Sequence, residues 1–374
     1  MGVYNSDTIS AISIILAVIL FALLYGLLMR RFRSVKLARL RENPILSPIK
    51  EHWWESEAVF NPAAFVHDDK VHLFYRALGR DGVSRIGYAW SNDGVTFDRL
   101  PYPVFSFNPN EDTGHHRRTS PMRLSYDTIN NPSGGGWGGS EDPRVVVMNG
   151  HIYMTFNMFN GWESMRVGFT AISEEDFRNK TWRWKSLVYL SHQNDRQKNW
   201  VLFPEQIKSK FALLHNLHAG QKSRVRIKYL DSLDIKEPLD EFTSPDPQAM
   251  RDRQISWHSR MRSAGPPPLK TDKGWLLLYH AMDSNEPNKY KLGAMLLDLK
   301  SPSKVLYRSP IATLEPDMWY ENDWKPGIIY ASGAVVFGED LIVYYGGGDK
   351  YVAAARINLE DFLNWLINNS NVHS

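Results

Sequence analysis

The feature that most constrains this chain is a unit that recurs five times between residues 43 and 374: an apolar strand, a polar turn, a strand ending in aromatics, and a further strand running into a turn. Its first copy reads Ala63-Ala64-Phe65-Val66, His67-Asp68-Asp69-Lys70, Val71-His72-Leu73-Phe74-Tyr75, then Arg85-Ile86-Gly87-Tyr88-Ala89 and Asn92-Asp93-Gly94. The pattern returns at 145–156 with 166–172, at 202–214 with 224–230, at 268–280 with 291–297, and at 333–345 with 351–357. A two-residue period marks strands, and no long helical period interrupts it. Repetition of one strand unit with loops of unequal length predicts an all-β fold, a five-bladed β-propeller over residues 43–374. A two-sheet sandwich is the other architecture that many short strands allow. Leu359 to Ile367 has the spacing of a short amphipathic helix.

Residues 1–29 predict something different. No residue from Thr8 to Met29 is charged, and the segment is mainly Ile, Leu, Ala and Val, long enough to cross a hydrocarbon core as a helix. Arg30, Arg31, Arg33, Lys36, Arg39 and Arg41 follow, so residues 30–42 read as a basic linker. Basic residues stay on the cytoplasmic side. The expectation is a single N-terminal transmembrane helix, a single-pass membrane protein with its large domain in the cytoplasm.

Charge excludes other classes. Lys plus Arg number 44 against 41 Asp plus Glu, and a net charge of +3 gives no drive toward nucleic acid, so no such partner is expected. The absence of cysteine removes thiol nucleophiles and thiolate zinc sites. His115-His116-Arg117-Arg118 has no carboxylate spaced to complete a metal site, and no metal or organic cofactor is expected. The 13 Trp suit a sugar-stacking cleft, and equally an all-β core.

The chemistry is concentrated around Gly139-Ser140-Glu141-Asp142-Pro143-Arg144, where a glycine run meets an apolar strand. Taken alone, Asp142 could be a turn former paired with Arg144, and Arg76 and Arg85 could serve Asp93 and Asp98. Other segments stand in a characteristic order: Trp53-Trp54-Glu55, Phe60-Asn61-Pro62-Ala63, Tyr75-Arg76-Ala77, Ser84-Arg85-Ile86-Gly87-Tyr88-Ala89, Leu202-Phe203-Pro204-Glu205, Gly265-Pro266-Pro267-Pro268, Gly274 to His280, Trp319-Tyr320-Glu321, and Tyr344-Tyr345-Gly346-Gly347-Gly348-Asp349.

Together these motifs resemble the β-mannoside phosphorylases and related mannosidases of glycoside hydrolase family 130, over about residues 43–357. The resemblance implies that Asp142 is the sole catalytic carboxylate, a general acid that relays its proton through a mannose hydroxyl. It implies that Asn61, Arg76, Arg85 and Asp349 hold the mannosyl unit. It assigns Lys198, Asn199, Tyr279 and His280 to phosphate. In one place the sequence departs from the pattern, since Leu214-His215-Asn216 carries Asn where the family has Arg.

The expected function is therefore an inverting phosphorylase of β-linked mannosides, releasing mannose 1-phosphate with inorganic phosphate as co-substrate. Its partners would be a β-mannoside oligosaccharide or glycoconjugate, phosphate, and the membrane. A β-mannoside hydrolase is the first alternative and needs a base, for which Glu205, Glu321 and Glu57 are candidates. A mannosyltransferase or a non-catalytic glycan-binding propeller are the others.

Overall fold

The computed structural model describes residues 36–107, 136, 138–160, 165–192, 197–217, 224–239, 257 and 260–370. Chain contacts divide the protein into two units, Met1–Lys36 and Leu37–Ser374. The first lies almost wholly outside the described residues, and with it the expected span Thr8–Met29. Among the described residues no helix is long and apolar enough to cross a membrane. The transmembrane helix, the membrane partner and the single-pass cytoplasmic placement are accordingly withdrawn: an uncharged apolar run meets only the length condition for a span. Part of the expected linker is also built into the fold, because Ala38–Arg39 is a strand.

Among its described residues the second unit is all-β, with two short α-helices and a single 3-10 turn at Trp319–Glu321. Glu174–Arg178 is capped by Ser173, and Leu359–Asn369 buries Phe362, Leu363, Trp365 and Leu366, two residues longer than its sequence spacing. The expected closed five-bladed propeller is corrected. Among the described residues the strands form four open sheets of eight, five, four and three strands, and their hydrogen bonding does not close into a ring.

The eight-stranded sheet fuses two of the expected units. Ala58–His67, Lys70–Leu78 and Val83–Ser91 form one antiparallel meander, and Gly138–Met148, His151–Phe159 and Arg166–Ser173 form another. They are joined where Val83 and Ser84 pair in parallel with Gly138 and Gly139. Glycine makes this approach possible. Gly139 has φ +109°, and a Cβ there would lie 2.1 Å from the Ser84 carbonyl oxygen. The glycine run before the Asp142 motif thus has a job that composition does not disclose.

At the other end of the fold, Ala38–Arg39 pairs with Tyr351–Asn358, followed by Asp340–Gly347 and Ile329–Phe337. Five strands stand at one edge of their meanders or sheets: Ala58–His67, Gly138–Met148, Val201–Leu202, Arg260–Ala264 and Ile329–Phe337. Four of them lose register at one point, between Phe60 and Ala63, Glu141 and Arg144, Met261 and Ser263, and Ala331 and Gly333. A bulge turns an otherwise inward or outward side chain to a new direction. These bulges neighbour one another: Ser332 Oγ donates to the Pro62 carbonyl (3.1 Å), and Arg144 Nε donates to the Gly265 carbonyl (2.8 Å). Apolar clusters fill the space between sheets, for example Trp54, Val59, Leu73 and Tyr75 against Ile342, Tyr344 and Val352.

Candidate active site

Asp142 sits in the bulge of Gly138–Met148 with φ +49° and is 9% exposed. Asn61 occupies the corresponding place in Ala58–His67 with φ +48°. Each precedes a proline, which discourages right-handed helical backbone, and Asn and Asp are the side chains that best tolerate the left-handed region. Two further predicted site residues share this conformation, Asn199 at φ +60° and Asp349 at φ +54°. Non-glycine residues held there store strain, and such strain collects at functional sites.

The Asp142 carboxylate is enclosed by donors. Oδ1 accepts from Asn61 Nδ2 (2.7 Å) and lies 3.4 Å from Arg76 Nη1, while Oδ2 accepts from Asn157 Nδ2 (3.3 Å). Arg76 is itself buried. It donates through Nη2 to Glu141 (2.6 Å) and through Nε to Ser84 Oγ (3.0 Å), and its guanidinium lies over the Phe60 ring. Burial alone would raise the Asp142 carboxyl. The charges of Arg76 and Arg144, the Asn61 bond and the charge of Lys198 outweigh it and hold the group below the ordinary carboxylate range.

Arg144 does not pair with the Asp142 carboxylate. It donates to the carbonyls of Asp142 (2.9 Å), Pro143 (3.2 Å) and Gly265, and to Tyr330 Oη (3.1 Å). One guanidinium therefore fixes the backbone on which Asp142 rides. Tyr330 stacks on His280, with ring centroids 4.3 Å apart and planes 8° from parallel, and Ser263 Oγ lies 3.0 Å from His280 Nδ1. Burial pushes the His280 imidazole down to about 3, and Arg144 adds to this against the opposing pull of Asp142. At neutral pH His280 is an uncharged donor and acceptor.

On the third side, Asn157 bridges Asp142 and Asn199: its Nδ2 also donates to Asn199 Oδ1 (3.0 Å), and its Oδ1 accepts from the Asn199 backbone N–H (2.8 Å). Lys198 is half-buried. The structure thus brings Asp142, Asn61, Arg76, Lys198, Asn199 and His280 to one place. Asp349 is buried nearby, 3.2 Å from Lys325 Nζ, at the end of the glycine segment whose Gly346 lies against the Asn61 amide; a Cβ on Gly346 would come within 2.0 Å of Asn61 Oδ1.

Two predicted residues stand apart. Arg85 forms a two-pronged pair with Asp81 (3.0 and 2.6 Å) and lies over Trp53. Tyr279 neighbours His280 in the chain but points to the opposite face of Gly274–Asp283, where it packs with Trp275, Leu277, Ala281 and Trp257. Asp93 serves neither arginine; it caps its own turn through the backbone N–H groups of Val95 and Thr96. Sequence reading missed Asn157, Tyr330 and Ser263. Only Asn157 left a signal, an amide in an otherwise Met- and Phe-rich strand.

The candidate hydrolytic bases are otherwise engaged. Glu321 is fully buried and accepts from Arg39 Nε (2.8 Å) and Nη2 (2.9 Å), from Tyr345 Oη (2.8 Å), and from the backbone N–H groups of Asp317 and Met318. Glu205 is half-exposed and pairs with Lys270, and Glu57 accepts from Ser56 Oγ (3.2 Å).

An all-β scaffold that presents the buried Asp142 carboxylate among cations, amides and a neutral imidazole, with Glu141 and Asp349 buried close by, suits an enzyme that cleaves glycosidic bonds. Residues 128–368 match the family model described as beta-1,4-mannooligosaccharide phosphorylase, and the chain belongs to glycoside hydrolase family 130. A 1,2-beta-oligomannan phosphorylase of Thermoanaerobacter sp. (strain X514) is 33% identical over 87% of this chain and 99% of its own. The Beta-1,2-mannobiose phosphorylase of the same organism is 33% identical over 87% and 98%. Among solved structures, Beta-1,2-mannobiose phosphorylase from Listeria innocua in complex with beta-1,2-mannobiose is alike in fold, with a TM-score of 0.64 at 20% identity, covering 88% of this chain and 99% of that one.

Proposed function

We propose that the chain is an inverting β-mannoside phosphorylase in which Asp142 is the general acid, and that β-1,2-linked mannobiose is its substrate type. The observation that carries this reading is the company Asp142 keeps. Its carboxylate is contacted by amides and a guanidinium, the Lys198 charge reaches it, and Glu205 and Glu321 are committed to other partners. Such a site suits an anionic nucleophile better than water, which would need a second carboxylate as base. The relatives at 33% identity carry β-1,2 names, and that favours this linkage.

In the proposed step, a phosphate oxygen attacks the anomeric carbon as the β-glycosidic C–O bond breaks. The leaving oxygen takes the proton that Asp142 supplies through a mannose hydroxyl, giving α-mannose 1-phosphate and the shortened sugar. Lys198 and Asn199 hold the phosphate, with neutral His280 as a further donor. Asn61, Arg76 and Asp349 hold the mannosyl unit. Because its cationic neighbours keep Asp142 ionised in the free enzyme, the acid must be charged with a proton first. A phosphate dianion beside Lys198 cancels that cation and adds negative charge, which raises the proton affinity of Asp142.

The test is incubation with β-1,2-mannobiose with and without phosphate. Mannose 1-phosphate that saturates with added phosphate supports the reading. Free mannose released at a rate indifferent to phosphate overturns it in favour of hydrolysis, and product formed only from a nucleotide-activated mannose indicates transfer.

A further inference from the structure

Asn157 is 1% exposed, on the face of its strand opposite the buried Met154, Phe156 and Met158 and enclosed beside Asp142 and Asn199. An amide in such surroundings is costly unless it is fully bonded. Here every polar atom is used, and the orientation is unambiguous. The Asn199 backbone N–H can only donate, so the atom 2.8 Å from it is Oδ1, and Nδ2 must face the other way. Its two hydrogens then go to Asn199 Oδ1 and Asp142 Oδ2. One rigid amide thus closes a two-bond ring with Asn199, stabilising its φ of +60°, and reaches the proton-donor carboxylate with its remaining hydrogen.

We infer that Asn157 is a positioning residue that couples the anion site to the acid: one amide holds Lys198-Asn199 and the Asp142 carboxylate in fixed register. The inference rests on the proposed role of Asp142 as acid. A hydrogen bond donated to a carboxylate favours its charged form, so the Asn157 bond acts in the same direction as Arg76, Arg144, Asn61 and Lys198. Displacing Lys198 or Asn199 would be felt at Oδ2 through the same amide.

Two substitutions separate this role from simple packing. Asn157→Ser shortens the side chain and removes the bridge, and Asn157→Asp keeps the shape and the acceptor for Asn199 while placing a second carboxylate against Asp142. The basic limb of the kcat/KM profile reports the loss of the protonated acid. It should move upward in Asn157→Ser and further in Asn157→Asp, where two carboxylates share one site; a shift of one pH unit or more is expected in the latter. KM for phosphate should rise about tenfold in Asn157→Ser while KM for the mannoside changes less than about twofold. Folding of each variant is checked by near-ultraviolet circular dichroism.

A folded Asn157→Asp enzyme with a wild-type pH profile and wild-type phosphate KM overturns the inference, as does a uniform loss of kcat with no movement of either. The proposed function is judged separately, on the wild-type enzyme. If that enzyme hydrolyses instead, phosphorolysis fails, yet the movement of the basic limb still decides whether Asn157 tunes Asp142.

Discussion

Asn61 donates to Asp142 Oδ1 at 2.7 Å from one strand bulge to another, and both residues adopt the same left-handed backbone before a proline. The pair is the point where two repeats of the chain meet through their irregularities rather than through their regular strands. The proposed proton donor is consequently oriented by a residue 81 positions away in sequence.

Replacing Asp142 by Asn should lower kcat by about a thousandfold or more, since the amide keeps the shape but has no proton to give the leaving oxygen. The fold should persist with a lowered melting temperature, because the new amide turns an N–H group toward donors and Arg76 loses a buried counter-charge. Steady-state assays beside a melting curve check this; activity within about tenfold of wild type, little over 1.36 kcal/mol of barrier, removes Asp142 from the mechanism.

Phosphate binding should bring proton uptake at Asp142 on the acid side of neutrality, because the anion offsets the Lys198 charge that helps hold its carboxylate low in the free enzyme. Calorimetric titration in buffers of different ionisation enthalpy measures the uptake. Lys198→Ala should abolish it and raise KM for phosphate far more than KM for the mannoside.

Gly139→Ala should destabilise the fold by about 3 kcal/mol or more, since the new methyl meets the Ser84 carbonyl and the backbone is in a region closed to alanine. Activity should fall with it, as the Asp142 bulge starts two residues later. A variant melting within a degree or two of wild type would show that the parallel bridge between Ser84 and Gly139 is dispensable.

Stability should decline steadily as pH falls from about 6.5 toward 4. Burial depresses His72 to about 4 and His215 and His280 to about 3, from an ordinary value of 6.5. Between those values the unfolded chain binds protons that the folded chain refuses, so acidification favours unfolding; above 6.5 the three imidazoles are neutral in both states and contribute nothing. Urea unfolding midpoints at several pH values test this, and His280→Gln should flatten the dependence.

What the sequence disclosed follows from distance along the chain. The strand copies and the gathering of Asn61, Arg76, Lys198 and Asn199 were legible, because each is marked by local alternation or by an ordered motif, whereas Asp142, expected where loop meets strand, lies in a bulge within Gly138–Met148. The role of Glu321 was not: its partner Arg39 is 282 positions away, in a stretch whose basic residues read as a linker. The family resemblance grouped Tyr279 with His280, although strand alternation sends neighbours to opposite faces. The fusion of two repeats into one sheet was hidden because a glycine run signals freedom of the backbone without naming the carbonyl it approaches.

The four left-handed residues Asn61, Asp142, Asn199 and Asp349 also set a limit on how this enzyme can evolve or be engineered. Each costs on the order of 1 kcal/mol that glycine would avoid. Screening for heat resistance alone would therefore drift toward glycine at these positions, and each such gain would erase a side chain of the proposed catalytic centre. Hardening this enzyme without silencing it means searching the outer strands and surface turns and leaving the four bulge and turn positions alone.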